Sequence, residues 1–299
     1  MKPLIDLPLS RQSLDPDTLG RRDETLIGRL CEDPTTRAVV VDELSRPALL
    51  GDALHYVSPN GVAESADMTV AYLGRQQDGA AVILLAGPEV PGLEYRDVRT
   101  VVGMMGEHDR GVVVPATALA NWHRRHRFCP RCGGQTTILE SGWVRRCRAC
   151  ETQHFPRIDP AVIMAVIDGA DRLLLAHAAH FGPRRYSTLA GYVEPGENLE
   201  HAVVRETWEE VGLNVTEVVY RGSQPWPFPR SLMLAYTARV AGTPEPVADG
   251  EEIVHARFFT RDELARSIAD GEVTPPGGAS VAYALVEDWF GGPLPERAG

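Results

Sequence analysis

Between Gly191 and Leu213 the chain reads Gly-Tyr-Val-Glu-Pro-Gly-Glu and then, from Arg205, Arg-Glu-Thr-Trp-Glu-Glu-Val-Gly-Leu. The mix of apolar and charged residues from Leu199 to Val211 predicts a helix, entered through Pro195-Gly196 with Asn198 as its N-cap and left at Gly212. At about 3.6 residues per turn, Glu206, Glu209 and Glu210 share one face. Carboxylates held this closely repel one another. Their clustering beside a glycine-rich loop therefore points to a hard divalent cation, Mg²⁺ or Mn²⁺, bound through oxygen. Arg205 precedes Glu209 by one helical turn, a spacing that lets it orient a carboxylate. A Glu-Glu pair alone reads as a solvated helix face; the joint pattern is what argues for metal.

Gly191, Glu197, Arg205, Glu206, Glu209, Glu210, Gly212 and Leu213 occupy the defined positions of the Nudix box, and the stretch resembles that family. Thr207 departs from it: an aliphatic residue is usual there, and Thr keeps the β-branched shape but adds a hydroxyl. Downstream lies Ser223-Gln224-Pro225-Trp226-Pro227-Phe228-Pro229-Arg230-Ser231. Alternating prolines cannot continue a helix or a central strand, so a stiff extended loop presenting Trp226 and Phe228 is expected. Aromatic and proline surfaces suit stacking on planar rings; by itself the segment also reads as a connection whose aromatics plug the core. Following the box as it does, it resembles the corresponding motif of the NADH pyrophosphatase branch of the Nudix family.

A third feature is Cys129-Pro-Arg-Cys132 and, after 14 intervening residues, Cys147-Arg-Ala-Cys150. Two such knuckles at this spacing predict a closed Cys₄ zinc ribbon, in which four thiolates leave no open position for catalysis. The rival is a pair of disulfides. Met1 to Ser10 shows no charged-then-apolar signal region, so a reducing cytoplasm, and hence zinc, is expected. His123, His126 and His154 flank the ribbon as alternative ligands and read otherwise as polar surface. Cys31 stands apart with no evident role.

No apolar run approaches the roughly 20 residues needed to span a bilayer, and the longest, near Ala80 to Ala86, has strand length. A net charge of −11 opposes broad nucleic-acid binding. Yet Arg124, Arg125, Arg127, Arg131, Arg145, Arg146 and Arg148 concentrate positive charge around the ribbon. This is either a local phosphate path or a compositional habit, since Lys2 is the one lysine in the chain.

Length suggests about two domains, and the patterns divide the chain into three parts: an N-terminal mixed α/β domain at 1–121, the ribbon at 122–155 and a catalytic domain at 156–299. Strands are expected at 38–41, 69–73, 81–85 and 100–102, with a helix opening at Pro115 and running to His126. The catalytic part begins with strands at 162–167 and 172–176 joined by Asp168-Gly-Ala-Asp171. Further strands follow near 216–221, 232–240 and 254–259. Thr260 to Glu263 has capping-box spacing before a helix to about Asp270, and 280–290 is a second amphipathic helix. Strands interrupted by a few helices indicate an α+β fold and not a βαβ repeat.

The resemblance implies an α/β/α sandwich, usually a homodimer, that hydrolyses the pyrophosphate bond of NADH or NAD⁺ to nicotinamide mononucleotide and AMP, and in this branch also removes NAD caps from RNA 5′ ends. It implies Glu206, Glu210 and Glu252 as Mg²⁺ or Mn²⁺ ligands, with Glu251 the adjacent rival to Glu252 and Glu209 a general base or further ligand. Glu197 and Arg205 hold loop to helix. Phe155 and Tyr192 stack on the nicotinamide base, and without the resemblance both read as core aromatics. Gln224, Trp226, Phe228, Ser231 and the backbone at Ala282 are expected to contact the rest of the substrate. Hydrolysis of ADP-ribose or a diadenosine polyphosphate, or a role as a nucleotide-sensing regulator, is the alternative.

Overall fold

A computed structural model describes residues 4, 7–10, 12–60, 62, 63 and 67–297. Part of the N-terminal stretch read for a signal, Lys2 included, lies outside the described residues. The chain forms two compact units, one of Arg11–Ile158 with Trp226–Arg230 and the other of Met1–Ser10, Asp159–Pro225 and Ser231–Gly299.

The first unit contains α1 (Leu26–Glu32), β1 (Arg37–Asp42), β2 (Ala48–Leu50), β3 (Ala53–Leu54), β4 (Tyr56–Val57), β5 (Thr69–Arg75), β6 (Ala81–Gly87), β7 (Glu94–Tyr95), α2 (Val98–Val101), α3 (Glu107–Arg125), β8 (Thr136–Leu139), β9 (Val144–Cys147) and β10 (Gln153–His154). Its main sheet has the order β4-β1-β6-β5, with β1 and β6 parallel. Both of these central strands are almost continuously apolar and buried, as a sheet covered on two faces requires. Leu26 and Leu30 of α1 pack with Ala38, Val40, Ile83 and Leu85 on one face. Side chains alternate along a strand, so Val39, Val41, Val82 and Leu84 point to the other.

Two expectations fail in this unit. Residues 100–102 are not a strand, because Asp97 accepts a hydrogen bond from the Arg99 N–H and starts the short helix α2. The helix expected to open at Pro115 begins at Glu107 and holds Pro115 in its interior. An interior proline costs about 3 kcal/mol. Here it is offset by burial of Val112, Val113 and Leu119, each contributing roughly 1.5–3 kcal/mol.

The second unit contains β11 (Asp159–Ile167), β12 (Leu173–Ala178), β13 (Leu189–Tyr192), α4 (Leu199–Val211), β14 (Val215–Trp226), β15 (Ser231–Val240), β16 (Ile253–Phe259), α5 (Arg261–Ala269) and α6 (Val281–Phe290). The sheet order is β14-β15-β11-β12-β16, with β13 added on β11. Successive residues of β11 serve opposite cores. Val162, Met164 and Val166 pack with Ala202, Val203 and Val211 of α4, while Ile163, Ala165 and Ile167 pack with residues of α5 and α6 such as Leu264, Leu285 and Trp289. This is the expected α/β/α sandwich. The capping box is complete, with Thr260 and Glu263 bonding reciprocally.

The proline-rich segment corrects a third expectation. Gln224, Pro225 and Trp226 continue β14 as strand, and only residues 227–230 form a turn into β15. Proline is excluded from central strands because it lacks a ladder N–H, but β14 is the edge of its sheet and tolerates one.

Candidate metal centres and the surrounding site

The box helix α4 is capped as its sequence dictates. The Asn198 side chain accepts from the His201 N–H, and Gly212 closes the helix in the left-handed region at φ 68°. Thr207 is fully buried, and its hydroxyl donates to Val203 O at 2.7 Å, so the extra polar atom is satisfied within the helix.

Arg205 is the hub. Its Nε and Nη2 donate to both oxygens of Glu197 at 2.9 and 2.8 Å, its Nη1 to Glu206 at 2.8 Å and Glu209 at 2.9 Å, and its Nη2 also to Tyr192 O at 2.9 Å. One guanidinium thus ties the loop after β13 to two turns of helix, the holding role expected of Glu197 and Arg205. Arg205 holds the Glu197 carboxyl below its usual range, and Glu197 in turn pushes Arg205 further above its own.

Glu210 has no such counter-charge. It is buried, its Oε2 has no hydrogen-bond partner, and burial together with the charges of Glu206, Glu252, Asp249 and Glu209 pushes its carboxyl up to about 9. Burial also raises Glu206, against the pull of Arg205, with Glu209 and Glu252 adding repulsion. A buried orphan oxygen that feels the charge of Glu206, Glu209, Asp249 and Glu252 fits a divalent cation bound through oxygen.

Gly191 shows how tightly the site is built. A Cβ there would collide with the carboxyl of Glu206. Gly191→Ala is therefore expected to displace that carboxylate and lower kcat by about a hundredfold, with far-ultraviolet circular dichroism unchanged. Activity within threefold of the parent would show that the contact is dispensable.

The loop bearing Glu252 is sewn to the end of α4. Val247 N donates to Val211 O and Asp249 N to Glu210 O. The Asp249 side chain then accepts from the N–H groups of Glu251, Glu252 and Ile253 at 2.9–3.1 Å. Of the two adjacent candidates, the charge felt by Glu206 and Glu210 is that of Glu252. The sequence reading missed Asp249. Its signal was the Asp-Gly-Glu-Glu turn, in which an Asp side chain commonly gathers the following N–H groups.

The expected substrate residues divide. Phe155 is 61% and Tyr192 56% exposed, which places both on the surface and not in a core. Tyr192 Oη lies 3.2 Å from Ser231 Oγ. Trp226 and Phe228 meet edge-to-face, ring centroids 5.0 Å apart. Ala282 lies buried in the first turn of α6. Gln224 has no exposed surface, and its amide donates to Ala279 O at 3.0 Å and accepts from Val281 N at 2.8 Å. The expected substrate contact is thus replaced by a structural one: Gln224 holds the segment that starts α6.

In the ribbon, the Sγ atoms of Cys129, Cys132, Cys147 and Cys150 all lie within 4.8 Å of one another. A tetrahedral zinc with Zn–S near 2.3 Å sets sulfurs about 3.8 Å apart; the closest pairs here are 3.4–3.7 Å. All four cysteines are free of disulfides, as the zinc reading requires. The reading of His123 as polar surface is wrong. His123 is buried, accepts from Arg145 Nη1 at 2.8 Å through Nδ1 and donates from Nε2 to Gly142 O at 2.9 Å. Burial, with the Arg145 charge second, pushes its pKa down to about 3. The unfolded chain takes up this proton near pH 6.5, so the folded state loses stability as pH falls from about 6.5 toward 3. Thermal melts across that range should show a slope that His123→Gln flattens; an unchanged slope would assign acid sensitivity elsewhere.

Residues 157–276 match the NUDIX domain model, and residues 124–155 match that of the NADH pyrophosphatase zinc ribbon domain. The chain is 40% identical over 259 residues to the NAD-capped RNA hydrolase NudC of Mycobacterium bovis (strain BCG / Pasteur 1173P2), covering 81% of this chain and 80% of that protein. It is 42% identical over 213 residues to the NAD-capped RNA hydrolase NudC of Stutzerimonas stutzeri (strain A1501), covering 70% and 74%. Similarity extends to the NAD-capped RNA hydrolase NUDT12 of Macaca fascicularis, 41% identical over 198 residues, covering 62% of this chain and 42% of that protein.

Proposed function

This chain belongs to the Nudix hydrolases, in the branch that carries the NADH pyrophosphatase zinc ribbon, and from that premise we propose that it cleaves the pyrophosphate bond of NAD(H), both free and as the 5′ cap of RNA. The products are nicotinamide mononucleotide with AMP, or with the 5′-monophosphorylated RNA. The observation that carries the hydrolytic reading is the buried Glu210 Oε2, which has no hydrogen-bond partner and feels the charge of Glu206, Glu252, Asp249 and Glu209. The names borne by the relatives, together with the proline-aromatic segment at 223–231, support the dinucleotide as substrate.

Glu206, Glu210 and Glu252 would hold the catalytic cations, Mg²⁺ or Mn²⁺, with Glu209 as base or further ligand. Bound there, such cations neutralise the pyrophosphate and lower the pKa of water. Arg205 keeps Glu206 and Glu209 at fixed positions on α4. The side chain of Glu209 is 56% exposed and reaches solvent, where an incoming water would surrender its proton. Phe155 and Tyr192 offer exposed rings for the nicotinamide and Trp226 and Phe228 a second aromatic surface, while the buried Ser231 hydroxyl meets the Tyr192 hydroxyl. The same proposal includes a homodimer, residence in the reducing cytoplasm, and the division into 1–121, 122–155 and 156–299.

Product analysis tests this reading. Purified protein with Mg²⁺ or Mn²⁺ is offered equal amounts of NADH, ADP-ribose and a short NAD-capped RNA. Preferential release of nicotinamide mononucleotide supports the proposal and ranks the two substrates. Preference for ADP-ribose, or no turnover, overturns it.

A further inference from the structure

Residues 227–230 carry two prolines and so lack two of the N–H groups with which a turn ordinarily braces itself. A local backbone bond in this stretch runs from Phe228 N to Trp226 O at 2.8 Å. The carbonyls of Pro227 and Pro229 must find donors elsewhere, and both find the same one. The Nδ2 of Asn121, on the buried face of α3, donates to Pro227 O at 2.9 Å and to Pro229 O at 3.3 Å. Its Oδ1 accepts from Ser45 Oγ at 2.7 Å and from Arg124 Nη2 at 3.0 Å. An amide has two N–H donors and two carbonyl lone pairs. All four are used, in a side chain only 5% exposed.

Grasping carbonyls two residues apart restricts the backbone between them, and that backbone carries Phe228. Its ring meets Trp226 at an interplanar angle of 86°. The orientation of the aromatic pair therefore depends on a helix anchored in the N-terminal region. We infer that Asn121 is a positioning residue for the substrate-selecting turn, and that α3, with the Ser45 turn that braces Asn121, serves as its mount. This gives residues 1–121 a part in dinucleotide preference. The inference rests on the reading above, in which Trp226 and Phe228 face the substrate.

Asn121→Asp keeps the oxygen that accepts from Ser45 and Arg124 but sets an oxygen against two carbonyls. With NADH and ADP-ribose as paired substrates, the latter carrying the same pyrophosphate without the nicotinamide ring, the kcat/KM ratio should fall about tenfold. The fall should come from a raised KM for NADH, with kcat within about twofold and zinc content intact, while loss of the two hydrogen bonds lowers the melting temperature. Ser45→Ala, one bond further from the turn, should move the ratio the same way by about twofold to threefold, and it decides the matter if Asn121→Asp does not fold. A folded variant with the parental ratio overturns the inference. A parent enzyme without preference for NADH overturns the functional reading instead.

Discussion

Glu210→Gln is expected to reduce hydrolysis about a thousandfold or more while making the metal-free protein more stable at pH 8. Loss of one carboxylate ligand removes several kcal/mol of transition-state stabilisation, and about 4 kcal/mol corresponds to that factor. The stability change has the opposite sign because Glu210 is buried without a partner and faces four other carboxylates. Its pKa rises from an ordinary 4.5 to about 9 in the folded state. Between those values the folded protein holds a proton that the unfolded chain has released, so metal-free stability falls as pH rises through this window. Gln cannot ionise, and its melting temperature should stay flat across the same range. Turnover assays and melts with and without Mg²⁺ or Mn²⁺ separate the two effects. Activity within tenfold of the parent would remove Glu210 from the ligand set.

Cys129→Ser should cost the protein its zinc and its solubility together. Structural zinc supplies on the order of 10 kcal/mol of folding free energy in small isolated ribbons, and β8, β9 and β10 are short strands of two to four residues. Gly134 gives the metal's share a local measure: a Cβ there would press on Ala149 and on two of the ligand sulfurs, so the knuckles are packed around the thiolates themselves. Metal analysis should show the bound zinc lost. Hydrogen exchange should show protection lost across 124–155 first. A zinc-free variant that is soluble and fully protected would sink the assignment of the ribbon as structural.

The parts of this molecule that were legible in advance are those where chemistry is tied to spacing. Glu206, Glu209 and Glu210, each Cys-x-x-Cys knuckle and the Thr260–Glu263 cap depend on offsets of a few residues, which local geometry fixes. The misplaced parts depend on neighbours that the local pattern does not contain. Pro115 looked like a helix start until burial of both flanks of α3 outweighed its cost. Pro225 looked like a strand breaker until β14 took an edge position. His123 and Gln224 are polar residues buried by partners 19 or more residues away, Gly142 and Arg145 for one, Ala279 and Val281 for the other. Nothing in the local sequence marks such a partner. Asn121 is of the same kind, since its turn lies 106 to 108 residues downstream.

The two metal centres differ in what they ask of folding. In the ribbon the four sulfurs lie against one another, Cys147 accepts from the N–H groups of Ala149 and Cys150 and Cys150 meets the Thr152 hydroxyl, and the strands around them are too short to persist alone. Around α4, by contrast, Arg205 already neutralises part of the acidic face through Glu206 and Glu209 and ties the helix to Glu197 and Tyr192 through three further hydrogen bonds. The ribbon therefore depends on its zinc to fold, and a chelator that strips the metal is expected to unfold 124–155. The acidic site on α4 asks less of its cation, because the Arg205 bonds to Glu197 and Tyr192 hold loop to helix through protein groups alone.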